Sequence, residues 1–485
     1  MTRTCFTKPA FHFAIASLFT TTVASFIACS GGTPNNEMMD MAPPMDMTTT
    51  PVAKPGSTVA SPRLGGADND AAYAVTTDAA GNVYVAGQLT GPLDVGGGTL
   101  AAFGMSDIYV AKFDSSGKHL WSKSFGSTGP DSVKGLTVDR SGNLWVAGSF
   151  RNSIDFGGGM LTSAGFSDIF LLSLGSADGA YRSAYRYGGA NDENVVALTS
   201  DSTGALILTG AFAGSVDFGG GMLTSAGNTD GYILKVNAAG AHQWSKRFGD
   251  QYADTGGGVV VGSGDDVNLV ATFIGSADVG GGKVNAADTV AADILVARFA
   301  ADGTHKWSKG VGARSDALLP AIAIDGSGNL LLTATFDGNF SMGGAIFSSD
   351  GLYDVVVAKW DATGSHQWSY RFSGPDYELS DGIAADAQGN VIAVGHYKGN
   401  ARMAGGAYMK SNGSYDTWIA KLAPNGQHLW SQHHGGIGDD ASGAVAVDPQ
   451  GNIWLAGQYT ASVDFGKGSM DVRGGIDSFL IKIAP

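Results

Sequence analysis

The sequence predicts an all-β fold: a seven-bladed β-propeller with four strands per blade, closed by an N-terminal outer strand. Three observations predict it. A unit of about sixty residues recurs seven times from residue 60 to residue 485, anchored by an Asp at Asp107, Asp168, Asp230, Asp293, Asp354, Asp416 and Asp477. A period that steady marks units that bury their faces against one another. Each unit holds four short runs rich in Val, Ile, Tyr, Phe and Trp, punctuated by Gly, Asn and Ser, with no helical period. Several runs are apolar on both faces, as in Ile108-Tyr109-Val110-Ala111, so their sheets are covered on both sides. Four-stranded sheets stacked around an axis meet that demand.

The first 28 residues are read as a targeting segment. Arg3 and Lys8 precede an uncharged apolar stretch from Phe11 to Ile27, which ends in Phe26-Ile27-Ala28-Cys29. This resembles a bacterial lipoprotein signal, which implies that Cys29 becomes the lipidated first residue. Ser30 in place of Asp resembles lipoproteins sent to the outer membrane, on its periplasmic or cell-surface side. Cys5 leaves with the signal, so the mature chain has no partner for a disulfide and must hold by packing. Residues 29–59 shift to Pro, Met, Thr and Asn and read as a flexible tether, about 30 Å in root-mean-square span. The methionines of Met38-Met39-Asp40-Met41 are spacer, since no His or Cys joins them.

The first full unit predicts strands at Ala72–Asp78, Asn82–Thr90, Asp107–Asp114 and Lys118–Phe125. Its first turn, Asp78-Ala-Ala-Gly81-Asn82, returns at Asp139, Asp325, Asp386 and Asp448; an Asp that bonds the turn backbone before a left-handed Gly is hairpin chemistry. A calcium loop needs several alternating oxygen ligands, and one carboxylate stands here. The last run, Ser478–Ile483, is the third of its unit. Residues 60–66 align with the end of a fourth strand, which predicts that the N-terminal segment completes the seventh blade.

The core Val138-Asp139-Arg-Ser-Gly142-Asn143-Leu-Trp145-Val146-Ala-Gly148 resembles the bacterial β-propeller repeats called SBBP. The resemblance covers all seven units, although Gly262 replaces the turn Asp in the fourth. It implies a propeller on an exported or surface protein and carries no common enzymatic activity. Gly117…Trp121, Gly240…Trp244, Gly303…Trp307, Gly364…Trp368 and Gly426…Trp430 are weakly similar to the docking motif of quinoprotein propellers. The preceding Asp stands one residue too close and no adjacent-Cys pair exists, so the tryptophans are expected to pack between blades, with no quinone cofactor.

In such a fold the loops entering the innermost strands share a face with those joining second and third strands. They carry Asp70, Asp131, Asp192, Asp254, Asp316, Asp376 and Asp440, with Asp68, Glu193, Glu378 and Asp439 beside them. These form an expected acidic collar able to hold Ca²⁺ or a cationic partner. The simpler reading is that each carboxylate braces the amides of its own loop, and the Asp107 set likewise. The Gly-rich run Asp155-Phe156-Gly-Gly-Gly159 lacks a following helix to bind phosphate and is expected to form an extra hairpin. His119, His242, His305, His366 and His428 recur on separate blades and cannot share one metal. Ligand residues should be exceptions to the repeat; Arg314, Glu378, His396 and Arg402 are the candidates, without a nucleophile–base pair among them.

Loss of residues 1–28 leaves 27 basic against 44 acidic residues, a net charge of −17. That disfavours nucleic acid and anionic headgroups as partners and leaves the membrane to the acyl anchor alone. The sequence therefore predicts a monomeric, lipid-anchored, non-catalytic binding or scaffold module for protein or glycan, with no cofactor unless Ca²⁺. The alternatives are a polysaccharide hydrolase or lyase and a calcium-dependent adhesin.

Overall fold

A computed structural model describes residues 53–485 except 288, 313–316 and 403–404. Cys29, Arg314 and Asp316 lie outside the described residues. The fold is all-β and propeller-like. Its main elements are seven antiparallel sheets of four strands, and in six of them the strands follow chain order. The first sheet joins Asp70–Thr77, Val83–Leu89, Asp107–Phe113 and His119–Phe125, within two residues of the expected bounds. The sixth, which carries the candidate site, joins Glu378–Ala385, Val391–Arg402, Tyr408–Leu422 and His428–His434. In the seventh, Asp440–Val447, Ile453–Tyr459 and Asp477–Ile483 take Thr58–Ala60 as fourth strand, with Thr58 opposite Ile483.

The apolar patterning explains the stacking. Second and third strands are buried along their whole length in several sheets, as in Leu206–Phe212 and Asp230–Val236. Their two faces feed different cores. Trp145 and Leu171 of the second sheet pack with Leu208 and Tyr232 of the third, whereas Val146 and Phe170 pack with Val110 and Trp121 of the first. Each such Val, Leu or Phe contributes roughly 1.5–3 kcal/mol by leaving water. First strands touch the first strands of neighbouring sheets, and Asp70–Thr77 touches both Ser132–Val138 and Asp440–Val447.

Each first strand is broken at the same place by a bulge. The register skips Tyr73, Lys134, Val196, Gly257, Asp381 and Gly443 in sheets one, two, three, four, six and seven. A bulge turns one side chain out of the ladder, and here it does so once per sheet.

The repeated polar residues are ties. Asp78 Oδ1 accepts from the amides of Ala80 (3.0 Å) and Asn82 (2.9 Å), and Gly81 takes the left-handed conformation, φ 81°. In the fourth sheet, where Gly262 replaces that Asp, Asp266 carries the charge and meets Arg298 Nε at 3.0 Å. The outer tryptophans pack between sheets as expected: Trp121, Trp244 and Trp368 donate to the carbonyls of Ser176 (3.2 Å), Ala301 (3.1 Å) and Pro424 (3.0 Å) in the next sheet. Lys235 adds to one of these ties, meeting Asp201 at 2.7 Å and the Ala301 carbonyl at 2.9 Å.

The Gly-rich loops form the expected small hairpins, Ser153–Asp155 with Met160–Thr162 for one. Their middle glycines are needed because a ring lies on them: a Cβ on Gly220 would meet His242 at 2.1 Å, and one on Gly158 would meet Tyr181 at 2.1 Å. The recurring histidines are thus hairpin covers, and His242 Nε2 lies 3.0 Å from Ser245 Oγ.

Candidate functional site

The expected collar takes a different form from the one the loops suggest. The carboxylate that opens the first strand is Asp70, Asp131, Asp254 and Asp440 in sheets one, two, four and seven, but Glu193 in the third and Glu378 in the sixth. Asp192 and Asp376 are displaced from it by one and two residues. Asp192 is exposed, 3.4 Å from Arg151, and Asp376 is half-buried. The opening carboxylates are buried, each nearly without solvent contact.

Five of the six brace their own loops, Glu378 being the exception. Gly66 donates to Asp70 (2.7 Å), Ser127 to Asp131 (2.6 Å), Gly189 to Glu193 (2.8 Å), Asp250 to Asp254 (3.1 Å) and Gly436 to Asp440 (2.7 Å). The Asp107 set does the same: Ala164 donates to Asp168 (2.9 Å) and Arg473 to Asp477 (2.8 Å). N–H donors suit an anion, and a Ca²⁺ ion wants six to eight oxygens. Among the described residues no three His, Cys, Asp or Glu side chains gather as a metal site.

The two sets nevertheless meet at the sheet junctions. Asp477 faces Asp70, Asp168 faces Glu193, Asp354 faces Glu378 and Asp416 faces Asp440. In these four pairs each member keeps a buried oxygen without a hydrogen-bond partner. Burial, and then the Asp354 charge, push Glu378 up to about 9. Burial pushes Asp70 up to about 7, against the pull of the Gly66 amide, with Asp477 raising it further. Like charges this close in a dry site cannot both ionise.

The departures from the repeat lie elsewhere, and they are contiguous. The residue before the third-strand Asp is Ser106, Ser167 and Thr229 in the first three sheets, and it bridges Pro130, Asp192 and Ala253 of the following loop. In the fifth sheet the same bridge joins Tyr353 to Tyr377, whose rings stack 5.9 Å apart at 23°. In the sixth the position is Tyr415, whose ring lies 6.3 Å from Tyr377. The second-strand position beside it holds Gln88, Ser149 and Ala211 in the first three sheets and His396 in the sixth. The His396 ring meets Tyr415 edge-on at 5.6 Å.

Beneath this histidine stands the bulge residue. His396 Nδ1 lies 2.8 Å from Asp381 Oδ2, and Ser442 Oγ of the seventh sheet donates to the same oxygen at 2.6 Å. Burial alone would lower the imidazole; the Asp381 charge and hydrogen bond, with Asp439 beyond, outweigh it and hold His396 above its usual value. The aspartate fixes the ring and favours the imidazolium. Ser442 bonds the aspartate and not the imidazole, so the three do not form a nucleophile–base relay, in which the base takes the hydroxyl proton. The arrangement is built to hold charge and orient rings.

The three sequence candidates among the described residues, Glu378, His396 and Arg402, are not brought together. Glu378 is buried beneath the tyrosines against Asp354. Arg402 stands at the end of the extended hairpin, where its backbone bridges Ser373 and its guanidinium lies 5.9 Å from the Tyr408 ring. His396 reaches the tyrosine row by its ring, and Glu378 by its backbone, donating to the Tyr353 carbonyl at 2.9 Å. Asp381, Ser442, Tyr353, Tyr377 and Tyr415 were missed; the tyrosines alone carried a signal, as aromatic residues where the first three sheets have Ser106, Ser167 and Thr229 or Pro130, Asp192 and Ala253.

No family model matches the chain. It is similar to an uncharacterized WD repeat-containing protein, L264, of Acanthamoeba polyphaga mimivirus: 21% identity, covering 83% of this chain and 36% of the relative. It is also similar to the regulatory protein FlaEY of Caulobacter vibrioides: 24% identity, covering 86% of this chain and 41% of the relative. The chain thus spans less than half the length of these curated relatives. Among solved structures it is similar to the WD40 β-propeller domain of Doa1, with a TM-score of 0.42, 12% identity, and coverage of 88% of this chain and 96% of that one. The SBBP likeness rests on the repeat core alone.

Proposed function

We propose that the chain is a non-catalytic binding module. In this reading the seven sheets are blades of one closed ring, and Thr58–Ala60 completes the seventh. The ring hangs from a lipid on Cys29 by the residue 29–59 tether at the outer membrane. It presents protein or glycan ligands with the face that carries Tyr353, Tyr377, Tyr415 and His396. One observation carries the binding assignment: a contiguous row of tyrosines occupies bridge positions that the first three sheets fill with Ser106 and Pro130, Ser167 and Asp192, and Thr229 and Ala253. Packing in those sheets is satisfied without aromatic rings, so the tyrosines answer another demand. Tyrosine offers broad contact area at low entropic cost, which suits recognition.

The rival reading, a polysaccharide hydrolase or lyase, has His396 as its general base. The full chain is incubated with a panel of soluble polysaccharides, beside its His396→Ala variant. Turnover by the wild type that the variant loses, with folding intact, would overturn the non-catalytic reading. Binding without turnover, weakened in Tyr377→Leu, is the expected result. Incorporation of labelled palmitate, abolished by Cys29→Ala, tests the anchor.

A further inference from the structure

We infer that the tyrosine row binds a cationic side chain, a lysine or arginine presented by a partner protein. The inference rests on the reading of this face as the binding face and names the chemistry of its ligand.

Negative charge beside the row outweighs positive: His396 faces Asp439, but its ring is already bonded to Asp381 at 2.8 Å. Asp376 and Asp439 stand on the loops that carry and follow Tyr377 and Tyr415, and among the described residues neither meets a lysine or arginine within ion-pair distance. Asp439 Oδ1 is moreover buried and accepts no hydrogen bond. Lys398, two residues along the strand from His396, is exposed and pairs with neither. At the aligned loop position of the third sheet, by contrast, Asp192 stands 3.4 Å from Arg151. A neutral ligand laid over Asp376 and Asp439 would desolvate them with nothing in return, whereas a cation offsets that cost.

The rings supply the rest. Tyrosine faces attract ammonium and guanidinium groups, by more as water is excluded. This fold already uses the interaction between neighbouring first strands, where Lys134 Nζ stands 4.0 Å above the Tyr73 ring. Exposed apolar side chains flank the row, Leu352 before Tyr353 and Ile437 before Asp439, at 52% and 82% exposure. An aromatic and acidic centre with an apolar border fits a folded or peptide partner carrying a basic anchor. Net charge points the same way, with 44 acidic against 29 basic residues in the whole chain.

The test is calorimetric titration of the full chain with a tetralysine peptide, with tetraglutamate and maltotetraose as comparison probes. Tetralysine should bind, and Asp439→Asn and Tyr377→Leu should each weaken it about tenfold. Tyr377→Phe, which keeps the ring, should restore affinity. Equal binding to wild type and to Asp439→Asn and Tyr377→Leu would overturn the inference, because diffuse charge would account for it. Tyr377-dependent binding of maltotetraose or tetraglutamate without tetralysine overturns the ligand class and leaves the binding face standing. Failure of all three probes to bind through Tyr377 overturns both. Asp439→Asn keeps the shape of the loop, so the test survives a Tyr377→Leu chain that does not fold.

Discussion

Ser442 Oγ and His396 Nδ1 converge on one oxygen, Asp381 Oδ2, at 2.6 and 2.8 Å, from adjacent sheets. The contact couples the protonation of a histidine near the tyrosine row to the junction between the sixth and seventh sheets. Asp381 stands at the bulge, the one place in its strand where a side chain is free of the ladder.

Asp381→Asn should lower the His396 titration midpoint, read by NMR from its ring protons. His396 is raised in the folded state, so the stability it contributes is fully present below its unfolded value of about 6.5 and is lost as pH rises through the folded one. The variant should lose that part of the pH dependence. An unchanged midpoint would show that Asp381 does not set the charge of the ring. Ser442→Ala should cost about 1 kcal/mol, since it removes one hydrogen bond and leaves the acceptor with another.

Glu378→Gln should stabilise the protein at alkaline pH. Glu378 is raised to about 9 and Asp354 to about 6. The folded state therefore holds a proton that the unfolded chain releases near pH 4.5, and stability falls as pH climbs from there toward 9. Glutamine offers Asp354 an amide N–H donor in place of the carboxylic O–H, without a proton to lose. Urea midpoints should fall less between pH 6 and pH 8.5 in the variant, with a gain on the order of 1 kcal/mol at the upper end. Parallel pH profiles for the two chains would sink the shared-proton account.

Lys235→Met should cost about 3–5 kcal/mol, because it strands Asp201 in a site almost closed to water. It also removes the donor to the Ala301 carbonyl. Lys235→Met with Asp201→Asn should recover part of the loss, and a double-mutant cycle by chemical denaturation measures how much. Additive losses would mean that the two residues act separately.

Calcium should leave the melting temperature of the full chain where excess chelator leaves it. The buried carboxylates face N–H donors, and a metal would have to displace those bonds. A ligand at a hundredfold its dissociation constant stabilises by about 2.7 kcal/mol, so binding would be plain in a melting curve. An upward shift would place a metal at the paired carboxylates and restore the adhesin reading.

The features legible in the sequence are those the repeat states seven times. Trp244 and Trp368 showed their inter-sheet role by spacing alone, and Asp78 showed its hairpin by the Gly and Asn that follow. Glu193 and Glu378 were misaligned because the entering loops differ in length by a residue or two, which linear spacing does not resolve. The Asp381–His396–Ser442 contact joins three strands of two sheets, and only the bulge brings its first member into reach. The tyrosine row was visible as a break in pattern at Ser106, Ser167 and Thr229, but only after the alignment was fixed by the bridges themselves.

The pairing of Thr58–Ala60 with Asp477–Ile483 sets an order of events for the growing chain. The segment is made before the first sheet, and its partner is the strand that follows all the others of the seven sheets. Ser57 accepts from the Ala484 amide at 2.9 Å and Gly56 donates to the Ala484 carbonyl at 3.1 Å, so the contact runs along the whole segment. Until then six complete sheets can stack while the seventh waits with an open edge. Contacts so distant in sequence form late and slowly, and an open edge invites pairing with another chain. A segment made before the first sheet is bonded only once the seventh is complete, which makes this junction the vulnerable step of assembly.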